Sequence, residues 1–238
     1  MWYLLSAGQW NWLKLAGNHT PPMIVSLFQM SLVDTHDRLD RTFFARPARA
    51  VARDLLGKHL VRQLSDVTIK GMIVEVEAYC DADQPDLACH GDRANNGNPT
   101  DRTRVMFGPP GHAFVYFTYG MHWMFNFVTG KKGEANAVLL RAIEPLMGEQ
   151  IIATNREGQP RQQWTNGPAK LAQALEIDKS MNGANLCAPD SVIWVEAGQW
   201  NDSDKILCGP RIGLGKTPEP WLSIPWRFWI AGNSFVSR

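Results

Sequence analysis

The sequence predicts an α+β fold: a single domain on a curved, mainly antiparallel sheet flanked by helices, from which one β-hairpin protrudes. Three observations lead there. Short apolar runs are joined in pairs by polar or glycine turns, the connection that antiparallel neighbours use. Other segments carry apolar residues at helical spacing. With 238 residues, 45% of them hydrophobic, and no internal repeat, the chain can bury one substantial core.

Residues 36–238 form the predicted domain and residues 1–35 an N-terminal extension. The extension crowds Trp2, Trp10 and Trp12 ahead of Pro21-Pro22 and an apolar run from Met23 to Val33. It is either a segment outside the folded unit or a start assigned upstream of the true one, at Met23 or Met30. From Leu39 the pattern is regular. Val51, Leu55 and Leu56 predict a helix over Ala48–Leu56, with Gly57 at the stop position. His59–Leu64 and Lys70–Ala78 read as a hairpin turning at Ser65-Asp66. Residues 80–104 are rich in Asp, Asn, Gly and Arg without an apolar period, and a loop of that length is usually functional. After a turn at 106–111, Ala113–Thr118 is a strand and Trp123–Thr129 its return partner, with Tyr119-Gly120-Met121 as the tip. Ala135–Ile143 is a strand that Glu144-Pro145 closes. Met147–Arg156 and Pro168–Leu175 are helices, the second with its proline at an early helical position. Val192–Glu196 and Trp226–Ile230 are short strands.

Composition removes several classes of function. A net charge of +1 provides no global basic field, so a nucleic-acid partner requires a local patch. No apolar stretch approaches a membrane span, and the start lacks the basic region of a signal peptide. Four scattered cysteines, with no C-x-x-C pair, suit reduced thiols in a cytosolic compartment. Cys89 and His90 are adjacent, but the recurrent short spacings of zinc ligands are absent, so no metal and no cofactor is expected.

The chemistry concentrates in two segments. Glu75 and Glu77 lie two apart on a strand and share a face among Ile73, Val74 and Val76. Burial and mutual repulsion there raise a carboxyl pKa, as acid–base work requires; two solvated charges on an exposed face are the plainer reading. In the second segment Tyr116 and Thr118 alternate with Val115 and Phe117, and Asn126 sits on the return strand. Rings with polar tips beside an amide make a slot for a planar heterocycle, unless the rings fill the core. Tyr119 and Met121 flank Gly120 at a turn, where a large exposed ring has no core to fill and can wedge between stacked bases. Arg102 and Arg104, with Arg93, Lys131 and Lys132, lie on loops as candidate phosphate contacts. Arg141 ends an apolar strand, where a carboxylate partner, Glu77, would spare it an unpaired burial. His90 alone reads as a surface histidine.

Together these residues resemble a known family. Gly71–Tyr79, the loop His90, Thr100-x-Arg-x-Arg-x-Met106, Pro110-Gly111, Val115-Tyr-x-x-Tyr-Gly-Met121, Asn126 and Val138–Pro145 closely resemble the alkyladenine (3-methyladenine) DNA glycosylases. The likeness continues through Asn166–Leu171, Arg211–Gly215 and Pro225–Phe228, so it covers roughly Leu39 to Arg238. It implies that Glu77 activates the water that attacks the sugar, and that Arg141 and His90 help to hold that water and the glutamate. It implies that Tyr79 and Tyr116 sandwich a flipped base, with His90 close by, and that Asn126 lies against the purine edge and disfavours guanine. Tyr119 matches the minor-groove wedge and Met121 its neighbour.

The matched motifs contain no lysine at a Schiff-base position, which implies a monofunctional enzyme that releases a free base without cutting the strand. In this sequence the loop holding His90 is longer than in mammalian members, Asp101 replaces a common proline, and His122 stands where some relatives carry tyrosine. The expected partner is double-stranded DNA containing damaged purines: 3-methyladenine, 7-methylguanine, hypoxanthine or ethenoadenine. No obligatory protein partner and no membrane are expected, and the chain is expected to be a monomer. The expected location is the cytoplasm beside a bacterial nucleoid, or the nucleus in a eukaryote. Two other readings fit the same pocket: a lesion-binding protein without turnover, and a nucleoside hydrolase acting on free small molecules.

Overall fold

The computed structural model describes residues 37–79, 85–198 and 205–237, without the side chains of residues 92–95. The predicted extension, residues 1–35, lies outside the described residues, as does the Arg93 side chain. The described residues form eight strands: β1 (His59–Gln63), β2 (Thr68–Tyr79), β3 (Ala113–Thr118), β4 (His122–Val128), β5 (Ala137–Met147), β6 (Ile193–Glu196), β7 (Ile206–Gly209) and β8 (Arg227–Ile230). Five α-helices accompany them: α1 (Arg41–Phe44), α2 (Ala48–Leu55), α3 (His90–Arg93), α4 (Glu149–Asn155) and α5 (Pro168–Ala174).

All pairings between these strands are antiparallel, in the order β3-β4-β5-β2-β1-β6, and the sheet is curled. Strand β2 sits at its centre. It pairs with β5 along one edge, while β1 takes the first half of its other edge and β8, with β7 beyond it, takes the second half. From Ile73 to Ala78 every residue of β2 is buried, the pattern of a strand covered on both faces. On one face lies the main core. α2 buries Ala48, Val51, Ala52 and Leu55, one stripe at helical spacing, among Phe44, Ile73, Leu140, Ile143 and Leu171. On the other, a smaller cluster of Cys89, Met106, Phe114, Val128, Ala135 and Ala137 sits under the loop that precedes β3.

The structure alters several expectations. Strand β5 does not stop at Pro145; it runs to Met147, and Pro145 lies opposite Gly71 beside a register shift, where the missing N–H of proline costs least. A Cβ added at Gly71 would lie 2.6 Å from Ile143 Cδ1 and 3.1 Å from the Glu144 carbonyl oxygen, so Ile143 would have to shift to admit it. The loop after β2 contains a single turn of helix, α3, that begins at His90. α1, capped by the Asp40 carboxylate, and β7 are additional elements. Cys89 is disulfide-bonded, which corrects the expectation of reduced thiols at that position; Cys187 and Cys208 are free. Among the described residues no helix is long and apolar enough to cross a membrane.

Candidate active site

Register brings the site together. Phe114 lies opposite Asn126, Asn126 opposite Leu139, and Leu139 opposite Glu77, so one row crosses β3, β4, β5 and β2. Side chains in one row share a face, and so do residues two apart on a strand. That face therefore gathers Tyr116 and Thr118 with Phe114, Met124 with Asn126, Arg141 with Leu139, and Glu75 and Tyr79 with Glu77. Eight of these line one cavity of about 620 Å³: Tyr79, Phe114, Tyr116, Thr118, Met124, Asn126, Leu139 and Arg141. His90, Arg102, Met106 and the loop from Ile212 to Thr217 complete its walls.

Directly behind Tyr79 and Arg141 is a buried ionic network. Glu75 and Glu77 are both fully buried, and Arg141 bridges them: its Nε donates to Glu75 Oε1 at 2.8 Å, and its Nη1 lies 3.0 Å from Glu77 Oε1. Glu77 Oε1 also accepts the backbone N–H of Ile212 (2.7 Å), and Glu77 Oε2 accepts the Tyr79 hydroxyl (2.8 Å). A carboxylate has about four acceptor positions, so Oε2 retains room for one more donor. Burial is the largest influence on Glu77 and pushes its pKa up. Arg141, the Ile212 N–H and the Tyr79 hydroxyl pull it back without cancelling the rise. Burial and the neighbouring carboxylate hold the Tyr79 hydroxyl well above its ordinary range, so it stays a donor. Arg141 is driven down by burial but raised more by its two carboxylates, and the net direction is up.

Glu75 has the other set of partners. Its Oε1 accepts from Arg141, from Arg227 Nη1 (3.1 Å) and from the Ser237 hydroxyl (2.8 Å), and its Oε2 accepts the Ser237 N–H (2.6 Å). Glu75 thus receives four donors, three of them on Oε1. The two glutamates that look alike in the sequence differ in their partners: Glu77 is held by Tyr79 and Ile212, which line the cavity, and Glu75 by Arg227 and Ser237, away from it.

The aromatic wall is held rigidly. His90 meets the Tyr116 ring edge-on, with centroids 4.9 Å apart, and Phe114 packs against the same ring at 5.2 Å. Burial pushes the Tyr116 hydroxyl up to about 12. Arg211, itself buried, lies over the Tyr79 ring at 4.6 Å and donates through both Nη1 and Nη2 to Asp86, at 2.6 and 3.0 Å. That pair anchors the loop whose next residue, Ile212, reaches Glu77; Gly213 and Gly215, with φ of 82° and 60°, let it turn along the cavity rim. Asn126 is fixed by Nδ2–H donation to the Phe114 carbonyl (3.0 Å).

The predicted tip joins β3 to β4. Tyr119 and Gly120 have φ of 52° and 68°, and the Met121 N–H donates to the Thr118 carbonyl at 3.1 Å, the signature of a type I′ hairpin turn. A tyrosine held there costs about 1 kcal/mol or more in backbone strain, yet its ring is 79% exposed and Met121 beside it 65%. Strain is stabilising nothing by packing at this point. Arg102 lies at the cavity mouth, its guanidinium 5.2 Å from the Tyr116 ring centre and donating to the Phe117 carbonyl. Arg104 is exposed, paired with Asp101, and does not line the cavity. Among the described residues no three His, Cys, Asp or Glu side chains gather as a metal would require.

The structure therefore brings Tyr79, His90, Tyr116, Asn126, Arg141 and Arg102 to one cavity, with Tyr119 also on its rim and Met121 next to it, while Glu77 does not line the cavity and lies behind Tyr79, Arg141 and Ile212, to which it is bonded. It adds Arg211, Asp86, the Ile212 N–H and Ser237, whose contributions depend on contacts far apart in the chain. The Arg211–Gly215 glycine pattern was the one local signal for any of them.

A model of the family described as methylpurine-DNA glycosylase (MPG) matches residues 42–234. Proteins named "Putative 3-methyladenine DNA glycosylase" are similar over nearly their whole length. The protein from Carboxydothermus hydrogenoformans is 44% identical over 200 residues, covering 84% of this chain and 98% of the relative. That from Alkaliphilus oremlandii is 41% identical over 209 residues, covering 84% and 99%. That from Methanocella arvoryzae is 44% identical over 201 residues, covering 84% and 96%. Since the matched residues take in all eight strands and the Glu75–Arg141–Glu77 network, the chain belongs to the methylpurine-DNA glycosylase family.

Proposed function

We propose that the protein is a monofunctional DNA glycosylase that turns alkylated or deaminated purines out of duplex DNA and hydrolyses the bond between base and sugar. The observation that carries this reading is Glu77: a buried carboxylate with one acceptor position free, at the back of an aromatic cavity roomy enough for a purine. A water bound at that position gives a proton to Glu77 as its oxygen attacks the anomeric carbon. The electron pair of the N-glycosidic bond leaves with the base. An alkylated cationic purine leaves as a neutral molecule; hypoxanthine leaves as an anion that takes a proton from solvent. Arg141 and His90 hold the water and the glutamate in register. The family membership and the relatives' printed names support a glycosylase acting on methylated purines.

Recognition divides among the remaining residues. Tyr79 and Tyr116 stack on the flipped base, and a cationic base gains about 0.5–2 kcal/mol from their π-faces. The fixed Asn126 amide presses against the extra amino group of guanine. Tyr119, with Met121, fills the gap left in the duplex, and Arg102 and Arg104 meet phosphates. The decisive assay incubates the protein, without added metal, with duplexes containing 3-methyladenine, 7-methylguanine, hypoxanthine or ethenoadenine. Free base is expected while the strands stay whole until alkali treatment. A protein that binds these duplexes and releases no base from any of them would be a lesion binder instead.

Two further results are expected. Tyr119→Ala should slow single-turnover release from duplex DNA about 10-fold while leaving single-stranded substrate nearly unaffected, because only the duplex requires a filled gap. Equal kinetics on both would favour a nucleoside hydrolase. Because Glu77 must be ionised to accept a proton, the rate should fall as pH drops through a midpoint above the ordinary glutamate value of 4.5. Linkage runs the other way for stability: a carboxyl with a raised folded pKa contributes stability at low pH that is lost as pH rises through that pKa. An acid limb at or below 4.5 would contradict the assignment.

A further inference from the structure

We propose that Ser237 is a positioning residue for the reaction, acting through Arg141 on Glu77; the inference rests on the glycosylase reading above. The segment after β8 folds back over the ionic network. Asn233 Nδ2 donates to Glu144 Oε2 at 2.7 Å, and Phe235 is buried. Ser237 is thereby delivered to the one place where Glu75 and Arg141 both need a partner.

The directions of its hydrogen bonds are determined by chemistry. Glu75 is engaged as an acceptor and Arg141 can only donate, so the Ser237 hydroxyl gives its proton to Glu75 Oε1 (2.8 Å) and accepts from Arg141 Nη2 (3.0 Å). The Ser237 N–H takes the second oxygen, Glu75 Oε2 (2.6 Å). Each guanidinium nitrogen of Arg141 then has its own partner: Nε has Glu75, Nη2 has Ser237, and Nη1 has Glu77. Only one nitrogen faces the proposed base. Removing the hydroxyl leaves Nη2 buried without its acceptor, and a buried unmade donor is costly enough to move the group. The nearest acceptor is Glu75, which already takes Nε and which loses the Ser237 hydroxyl donor from Oε1 in the same substitution. A guanidinium that closed both Nε and Nη2 on Glu75 would draw Nη1 away from Glu77 and loosen the ion pair that favours the charged, water-activating carboxylate.

Glu77 is surrounded by Arg141 from β5, Glu75 and Tyr79 from its own strand, Arg227 opposite it on β8, Arg211 and the Ile212 N–H from the rim loop, and Tyr116 from β3. Ser237→Ala leaves each of those groups in the chain. It is expected to lower the single-turnover rate of base release about 10-fold and to move the acid limb of the pH–rate profile to higher pH. Affinity for lesion-containing duplex should be unchanged. Ser237→Thr, which keeps the hydroxyl, should restore both rate and limb. The measurement is the pH–rate profile of all three proteins, with melting temperatures taken alongside. An unchanged rate and limb in Ser237→Ala, or a loss in both variants that follows melting temperature, would overturn the proposal. Failure of the wild type to release base would instead refute the glycosylase reading, so the two failures are distinguishable.

Discussion

Glu77→Gln should bind lesion-containing duplex normally, release base at least about 10²-fold more slowly than the wild type, and melt at the same temperature or higher. The first half follows from chemistry. An amide cannot accept the proton of the attacking water, while its carbonyl oxygen can still receive the Ile212 N–H and face Arg141. The second half follows from the direction of the Glu77 pKa. Because burial raises it, the folded protein favours the uncharged form, and ionised Glu77 costs stability near neutral pH. A neutral isostere lifts that cost, and Arg141 retains Glu75 as its counter-ion. Release at the wild-type rate would remove Glu77 from the mechanism. A sharp fall in melting temperature would show its charge to be structural.

Arg141→Met should be the most destabilising single substitution in the site. Methionine fits much of the buried volume but leaves two buried carboxylates without the guanidinium between them. Arg227 still faces Glu75 at 3.1 Å, whereas Glu77 loses the one ion-pair partner it has among the described residues. Breaking one side of a buried ion pair costs about 3–5 kcal/mol. Activity should fall as well, since an unpaired Glu77 ionises at still higher pH. The deficit should shrink as pH is lowered and the stranded carboxyl protonates, the sign expected when a folded-state pKa rises. Urea unfolding of wild type and variant at neutral and mildly acidic pH would measure this. A deficit within about 0.5 kcal/mol, the ordinary scatter of surface substitutions, or one that grows on acidification, would refute the account.

The features legible from residues alone were those with a local signal. The β3–β4 hairpin was readable because alternation runs up to Tyr119-Gly120-Met121 and resumes after it, and α2 because Val51 and Leu55 keep helical spacing into Gly57. Strand β5 was cut short because Pro145 has the composition of a stop, and only its position opposite Gly71 shows why the strand tolerates it. The four residues of β7, next to a proline, carry too short a pattern to separate from a loop. Within the site, the pairing of Arg141 with Glu77 could be anticipated because a buried cation requires a carboxylate. The stronger tie to Glu75 could not, and neither could Arg211 with Asp86 or Ser237 with both Glu75 and Arg141. Those choices are made by folding, between groups that no local pattern connects.

The spacing of these ties has a consequence for when the protein becomes competent. The network joins Glu75 to Arg141 across 66 positions, Arg141 to Ser237 across 96, Glu77 to Ile212 across 135 and Glu75 to Ser237 across 162. Closing loops of that size is among the slower events in assembling a small protein. The β2–β5 half of the sheet can collapse around its apolar residues first, but Glu77 then lacks its rim-loop donor and Arg141 its last acceptor. On the proposed mechanism, Glu77 would then become a working base only with the final long-range closure.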